Sequence, residues 1–264
     1  MITFLNNRSL IKVSGEDSEQ FLQSQLSNDV RKIKGNEVQL NAYCQHQGKI
    51  IAIIWVLKKD GAYYLSIPDE LKELVLSKLN MYKLMSKVDI KDFSEEIFQY
   101  GLINESYENS FRIDENLSLL TTRERFIDCD DSSQWEVICV KQSFPEVYQT
   151  MSEKLIPQEL NLDIDQLGVS FTKGCYPGQE VVARMHYLGK PKRRLFRFTS
   201  KFEILIGDSL DVDNSKSLKS PGQVIRVANE GSEFHFLGVF ELSHMDDQIF
   251  LNNDRNKLVK LIHE

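Results

Sequence analysis

The segment Lys173–Glu180, KGCYPGQE, packs two glycines, a proline, a cysteine and charges of both signs into eight residues. Cys175 is its reactive candidate, because a thiolate is a nucleophile and a metal ligand. Two backbone readings compete. In one, Tyr176-Pro177-Gly178-Gln179 is a type II turn, with Pro177 fixing φ at the second position and Gly178 supplying positive φ at the third. In the other, Pro177 is the first residue of a helix continued by EVVARMHYL and closed by Gly189 as a left-handed cap. The agreement of start and stop signals favours the helix. Cys175 would then sit just before a helix N-terminus and two residues from Lys173. Both supply positive potential, which raises the thiolate fraction. The plainer reading, on spacing alone, is a small core cysteine.

A cysteine nucleophile normally has a base. The nearest in sequence is His186, which reads equally as a surface histidine, and His46 in CQHQGK reads as a turn residue. The other cysteines are less promising. Cys44 falls on the apolar side of an alternating strand and Cys139 lies in the apolar run WEVICV. Cys129 sits in DCDD, beside carboxylates that disfavour a thiolate. There is no C-x-x-C, so neither a zinc ribbon nor a dithiol centre is expected, and no metal site is assigned. No Walker loop, G-x-G-x-x-G or Ser-His-Asp pattern is present. Reduced thiols and the lack of an apolar leader suggest the cytoplasm. The longest apolar run, Ile50–Leu57, is too short for a bilayer, which needs roughly 20 residues, so no membrane partner is expected.

The charge pattern offers a second site. The chain carries −7 overall, yet no acid occurs between Glu180 and Glu203, where Arg184, Lys190, Lys192, Arg193, Arg194, Arg197 and Lys201 lie. This is either a solvated hinge or a surface for a polyanion such as RNA phosphates, with contact through Lys190–Arg197.

These features need elements to hold them. Residues 9–14 read as a strand and SGEDSEQFLQSQLSND as a short helix. Val38–Cys44 and Ile50–Leu57 read as strands, KKDG as a hairpin turn, AYYLSI as a strand, and Pro68 as the opening of a helix. A strand follows near Lys87–Ile90. IFQYGLI, FRI, LSLL and WEVICV read as further strands, and Glu146–Leu155 is compatible with a helix. Past Leu195, alternating segments separated by turn formers indicate an all-β module of about seventy residues, a small barrel.

The motif KGCYPGQEVVAR resembles the signature of YgfZ-type folate-binding proteins, relatives of the glycine-cleavage aminomethyltransferase GcvT. FLQSQLSNDV (Phe21–Val30), NAYCQHQGKIIA, YKLMSKVDI and IPQELNLD (Ile156–Asp163) are similar to further family segments in the same order, so the likeness spans most of residues 9–198. The resemblance implies an α+β GcvT-like folate-binding fold. Two α+β lobes, about 1–92 and 93–194, would form the folate-binding region 1–194, with a C-terminal antiparallel β-barrel at 195–264. It implies tetrahydrofolate or a derivative as the cofactor, and iron–sulfur client or assembly proteins as partners. The function implied is support of iron–sulfur enzymes, with tRNA thiolation depending on it indirectly. A folate-dependent aminomethyl transferase or demethylase acting on a small amine, and a direct RNA-binding protein, stay open beside it. Cys175 takes the signature position, with Lys173, Gly174, Tyr176, Gly178, Gln179 and Glu180 shaping its loop. Trp135, ten residues before Pro145, matches the family spacing for an aromatic at the folate pocket; the alternative is a core tryptophan on a strand. Some members carry a tryptophan where this chain has Arg8. Arg184 and the cations that follow it are candidates for the folate glutamate tail.

Overall fold

A computed structural model describes residues 1–126, 129, 132–213 and 220–262; Asp128, Asp130 and Asp131, invoked above beside Cys129, lie outside them. The chain opens with β1 (Ile2–Phe4) and β2 (Arg8–Ser14), then helix α1 (Ser18–Gln25). β3 (Gln39–Cys44), β4 (Ile50–Lys59) and β5 (Ala62–Pro68) follow as antiparallel neighbours. Asp60 and Gly61 both take positive φ, 50° and 73°, so the β4–β5 hairpin turns as the sequence suggests. Pro68 is a correction. It pairs with Arg8 as the last residue of β5, because a strand end tolerates a residue without an N–H. A single 3-10 turn (Asp69–Leu71) then leads into α2 (Lys72–Tyr82), and β6 (Asp89–Asp92) completes a five-stranded sheet ordered β3-β4-β5-β2-β6. Leu71, Val75 and Leu79 of the α2 face are buried against that sheet.

The second sheet takes β7 (Phe98–Ile103), β8 (Ser110–Arg112) and β9 (Leu117–Thr122), and recruits β1 from the chain start in the order β1-β7-β9-β8. WEVICV is not a strand: it lies in helix α3 (Ser133–Lys141). The misreading has a physical cause. Trp135, Val137, Cys139 and Val140 are all buried, because α3 is covered on one side by β7 and on another by the barrel. A helix apolar almost all round has no 3.6-residue signature to distinguish it from a buried strand. Gly101 in β7 makes the approach possible: a Cβ there would stand 2.3 Å from the Trp135 ring. Glu146–Leu155 forms only a 3-10 turn at Gln149–Met151.

Helix α4 (Gln179–Leu188) precedes the C-terminal module. There β10 (Arg193–Ser200), β11 (Ser209–Val212), β12 (Gly222–Glu230), β13 (Glu233–Glu241), β14 (Ile249–Leu251) and β15 (Asp254–Ile262) close into an antiparallel barrel, β10-β13-β12-β11-β14-β15. β12 carries a bulge between Val224 and Arg226. Bulges re-aim side chains, and Arg226, 1% exposed, reaches out of the barrel to α3. Its Nη2 lies 2.8 Å from Glu136 Oε2 and its Nη1 donates to the Phe144 carbonyl.

Candidate functional site

The cysteine loop is anchored from three directions. Ser27 and Asn28, in the segment after α1, form a buried polar knot. The Ala42 amide donates to Ser27 Oγ, which donates to the Gly168 carbonyl. The Asn28 amide donates to Asn41 Oδ1, and the Ser170 amide donates to the Ser27 carbonyl. This knot joins β3 to the approach of the signature. Lys173 completes it: its buried Nζ donates to the Leu26 and Asn28 carbonyls and lies 5.3 Å from the Tyr176 ring. The sequence suggested that Lys173 supplies positive potential to Cys175. In the structure its ammonium is spent on the backbone beyond α1.

The two backbone readings of YPGQ prove to be successive rather than exclusive. Gly178 has φ 81°, ψ −1°, and the Gln179 amide donates to the Tyr176 carbonyl, the third position and closing bond of a type II turn. The helix then begins at Gln179, so Pro177 belongs to the turn and is not the first helical residue. Gly189 is a second correction: at φ −108°, ψ 171° it is extended, and its N–H donates to Met185. Gly178 also fits tightly. A Cβ there would meet the Gln45 carbonyl and the Gly48 backbone at 2.6 to 2.7 Å. Gly178→Ala therefore combines positive-φ strain with a backbone clash. A loss of about 2 to 4 kcal/mol is expected in denaturant unfolding; wild-type stability would contradict this packing.

Among the four thiols, burial pushes Cys44 and Cys139 up to about 12, which leaves them protonated near neutral pH. Cys175 is exposed. The next residue, Tyr176, is buried, and burial raises its phenol, so it stays neutral. His186 stacks on Phe171, ring centroids 3.7 Å apart, with Nδ1 4.0 Å from Asp163. His46 donates to or accepts from Tyr82 Oη at 3.0 Å.

Desolvation lowers Lys173 to about 8 from an ordinary 10.5. Between those values the unfolded chain holds the extra proton, so this group's contribution to stability rises with pH and is smallest below about 8. Comparing the pH slopes of unfolding free energy for the wild type and Lys173→Met should show a difference of roughly 2 to 3 kcal/mol across that window. Parallel slopes would mean that Lys173 is solvated.

A second region lies between the modules. A slot of about 130 Å³ is lined by Val38, Gln39, Leu40, Trp55, Ile113, Phe144 and Leu167. Leu167 also lines a larger cavity of about 440 Å³, which Gln142, Asn161, Leu195, Phe196 and Arg197 border from α3's end and the barrel. Three buried polar atoms here have no hydrogen-bond partner: Trp55 Nε1, Gln142 Oε1 and Asn161 Oδ1. Such atoms cost about 1 to 3 kcal/mol each unless a ligand or water satisfies them. The Arg8 guanidinium lies 4.8 Å from the Trp55 ring and pairs with buried Glu146. Trp55 and Trp135 are both 1% exposed, with ring centroids 6.2 Å apart, and of the two it is Trp55 that lines the slot. Sequence reasoning missed Trp55 because it sits in an unbroken apolar strand. Gln142 and Asn161 lie in loops without a periodic signal.

Of the predicted basic run, Arg194 is paired bidentately with Asp163 and Arg193 with Glu241. Arg197 donates to the Lys141 carbonyl at the larger cavity. Arg184 is exposed on α4, at a different place from the cavity lining. Among the described residues, no helix is long and apolar enough to cross a membrane, and no group of three or more His, Cys, Asp or Glu could hold a metal ion.

Two α+β lobes followed by a closed antiparallel barrel make up the aminomethyltransferase class of fold. The structure is similar to the glycine cleavage system aminomethyltransferase T of Bartonella henselae, with a TM-score of 0.71 over 100% of this chain and 84% of that one, at 10% identity. No family model matches the chain. In sequence it is 32% identical over 262 residues to an uncharacterized protein of Haemophilus influenzae, covering 95% of this chain and 88% of that protein. It is 30% identical over 233 residues to the tRNA-modifying protein YgfZ of Colwellia psychrerythraea (75% and 71%), and 28% identical to that of Vibrio atlanticus over 95% and 87%. The chain belongs to the YgfZ family.

Proposed function

We propose that this protein binds tetrahydrofolate, or a derivative, in the central slot and acts as a cytoplasmic accessory to iron–sulfur enzymes on which tRNA modification depends. The observation that carries the folate reading is the slot itself. A flat heteroaromatic bicycle needs apolar walls and a few placed polar groups. Leu40, Trp55, Ile113 and Phe144 supply the walls and Trp55 Nε1 is a buried donor in want of a partner, while Gln142 Oε1 and Asn161 Oδ1 are unpaired beside the adjoining cavity. Trp135 would back Trp55 rather than touch the ligand. Arg197 at the adjoining cavity, rather than Arg184, would meet the glutamate tail.

Bound tetrahydrofolate would supply a reduced pterin able to carry a one-carbon unit. The chain's own residues orient it, exclude water around Trp55, and hold an exposed thiol at Cys175 on a loop fixed by Lys173 and Gly178. The name carried by the Colwellia and Vibrio relatives supports the tRNA-modification part of the reading. Trp55→Leu keeps an apolar side chain but removes the indole. Calorimetry should show tetrahydrofolate affinity falling at least tenfold, with the melting cooperativity kept. Unchanged affinity would place the ligand elsewhere.

A further inference from the structure

Beside the cysteine loop the protein leaves an unusual amount of apolar surface to solvent. Helix α4 buries a single residue, Val182. Val181, Met185 and Leu188 recur at i, i+4 and i+7 and so share one stripe. Val181 is exposed, and Leu188 is 83% exposed. The second half of the surface is the last residues of α2 and those just after it. Met81, Tyr82, Leu84 and Met85 are all exposed within five residues, Met85 at 97%. The turn Gln45–Gly48 joins the halves. His46 is hydrogen-bonded to Tyr82 on one side, and Gly48 lies against Val181 and Gly178 on the other. Cys175 is exposed three residues before Gly178, on the loop that leads into α4.

Such a patch marks a contact site when it is contiguous and rimmed by polar groups. The rim here is predominantly basic, the exposed Glu180 beside Val181 being an exception. Lys83, Arg184, Lys190 and Lys192 make no ion pair among the described residues, in a chain whose net charge is −7. We infer that this surface docks a second protein, one presenting an aliphatic patch bordered by carboxylates, and that docking sets the partner beside Cys175. Three features select that occupant. Methionine and leucine side chains adapt to another apolar surface and offer nothing to a phosphate backbone. The patch holds too few aromatic rings, Tyr82 and Tyr187, to stack successive bases. A two-fold dimer would set the same patch against itself, bringing lysine against lysine. The inference deepens the proposed function by giving the partner a surface. It rests on that reading only for what the docked partner gains from the thiol.

The test uses the full chain with a photo-crosslinking residue at position 84 or, separately, at 188, in cells. The protein captured from both positions is identified, purified and titrated against the wild type. Its crosslinked segment is expected to be aliphatic with flanking Asp or Glu. Leu84→Asp and Leu188→Asp should each weaken binding at least tenfold, and Lys190→Glu with Lys192→Glu should do the same and remove most of the salt dependence. Leu258→Asp, on the barrel, should bind as wild type. Tetrahydrofolate affinity measured on the same variants should be unchanged, so a failure of docking and a failure of the folate reading are told apart. Crosslinks only between copies of this chain, crosslinks only to RNA, or a captured protein indifferent to these substitutions would each overturn the inference.

Discussion

Cys175→Ser is expected to abolish rescue of iron–sulfur-dependent tRNA thiolation in cells lacking the protein, while leaving both melting temperature and tetrahydrofolate affinity at wild-type values. The separation follows from position. Cys175 is exposed, so exchanging sulfur for oxygen removes little packing. The loop is held by Lys173, Gly178 and Tyr176, none of which is changed. The central slot is lined by other residues entirely. What serine cannot reproduce is sulfur's chemistry as a nucleophile and soft ligand. Cys44→Ser and Cys139→Ser serve as contrast. Both thiols are buried and held protonated, so their loss should lower stability without a selective loss of rescue. Full rescue by Cys175→Ser would reduce the signature cysteine to a surface residue.

The second large effect is on stability. Arg226 is fully buried and its guanidinium bridges the barrel to α3 through Glu136 and the Phe144 carbonyl. Desolvation opposes its charged form, and Glu136 together with further neighbours, Glu146 among them, outweighs that opposition. Removing one partner of such a pair costs about 3 to 5 kcal/mol, since the other charge is left uncompensated. Glu136 retains some solvent contact, so Arg226→Met should fall near the lower end and Glu136→Leu near the upper. The double variant Glu136→Leu/Arg226→Met should lose less than the sum, a coupling that denaturant unfolding can resolve. Additive losses would show that the barrel does not depend on this bridge for its seat on α3.

Strand β4, the hairpin at Asp60-Gly61 and the barrel were legible in the sequence because each has a local cause: a buried apolar run, an Asp-Gly turn, and alternation between turn formers. Helix α3 was not. Its apolar residues face two covering layers, and only Gly101, thirty-four residues earlier, betrays the close approach of Trp135. The cysteine loop was legible as a turn leading into a helix, but not as a turn followed by one, since the left-handed Gly178 serves both. Lys173 read as a neighbour of Cys175 because sequence distance is two residues. Its side chain instead spans to α1's end, a contact separated by 147 residues. Trp55 could not be distinguished from its apolar neighbours without Arg8, which meets it across the sheet.

The central claim is tested most directly by calorimetric titration of the full chain with tetrahydrofolate, wild type beside Trp55→Leu and Cys175→Ser. The expected result is saturable one-to-one binding by the wild type, the same by Cys175→Ser, and an affinity at least tenfold lower for Trp55→Leu. No saturable binding by a folded wild type, or equal binding by all three, would contradict a folate site in the slot around Trp55.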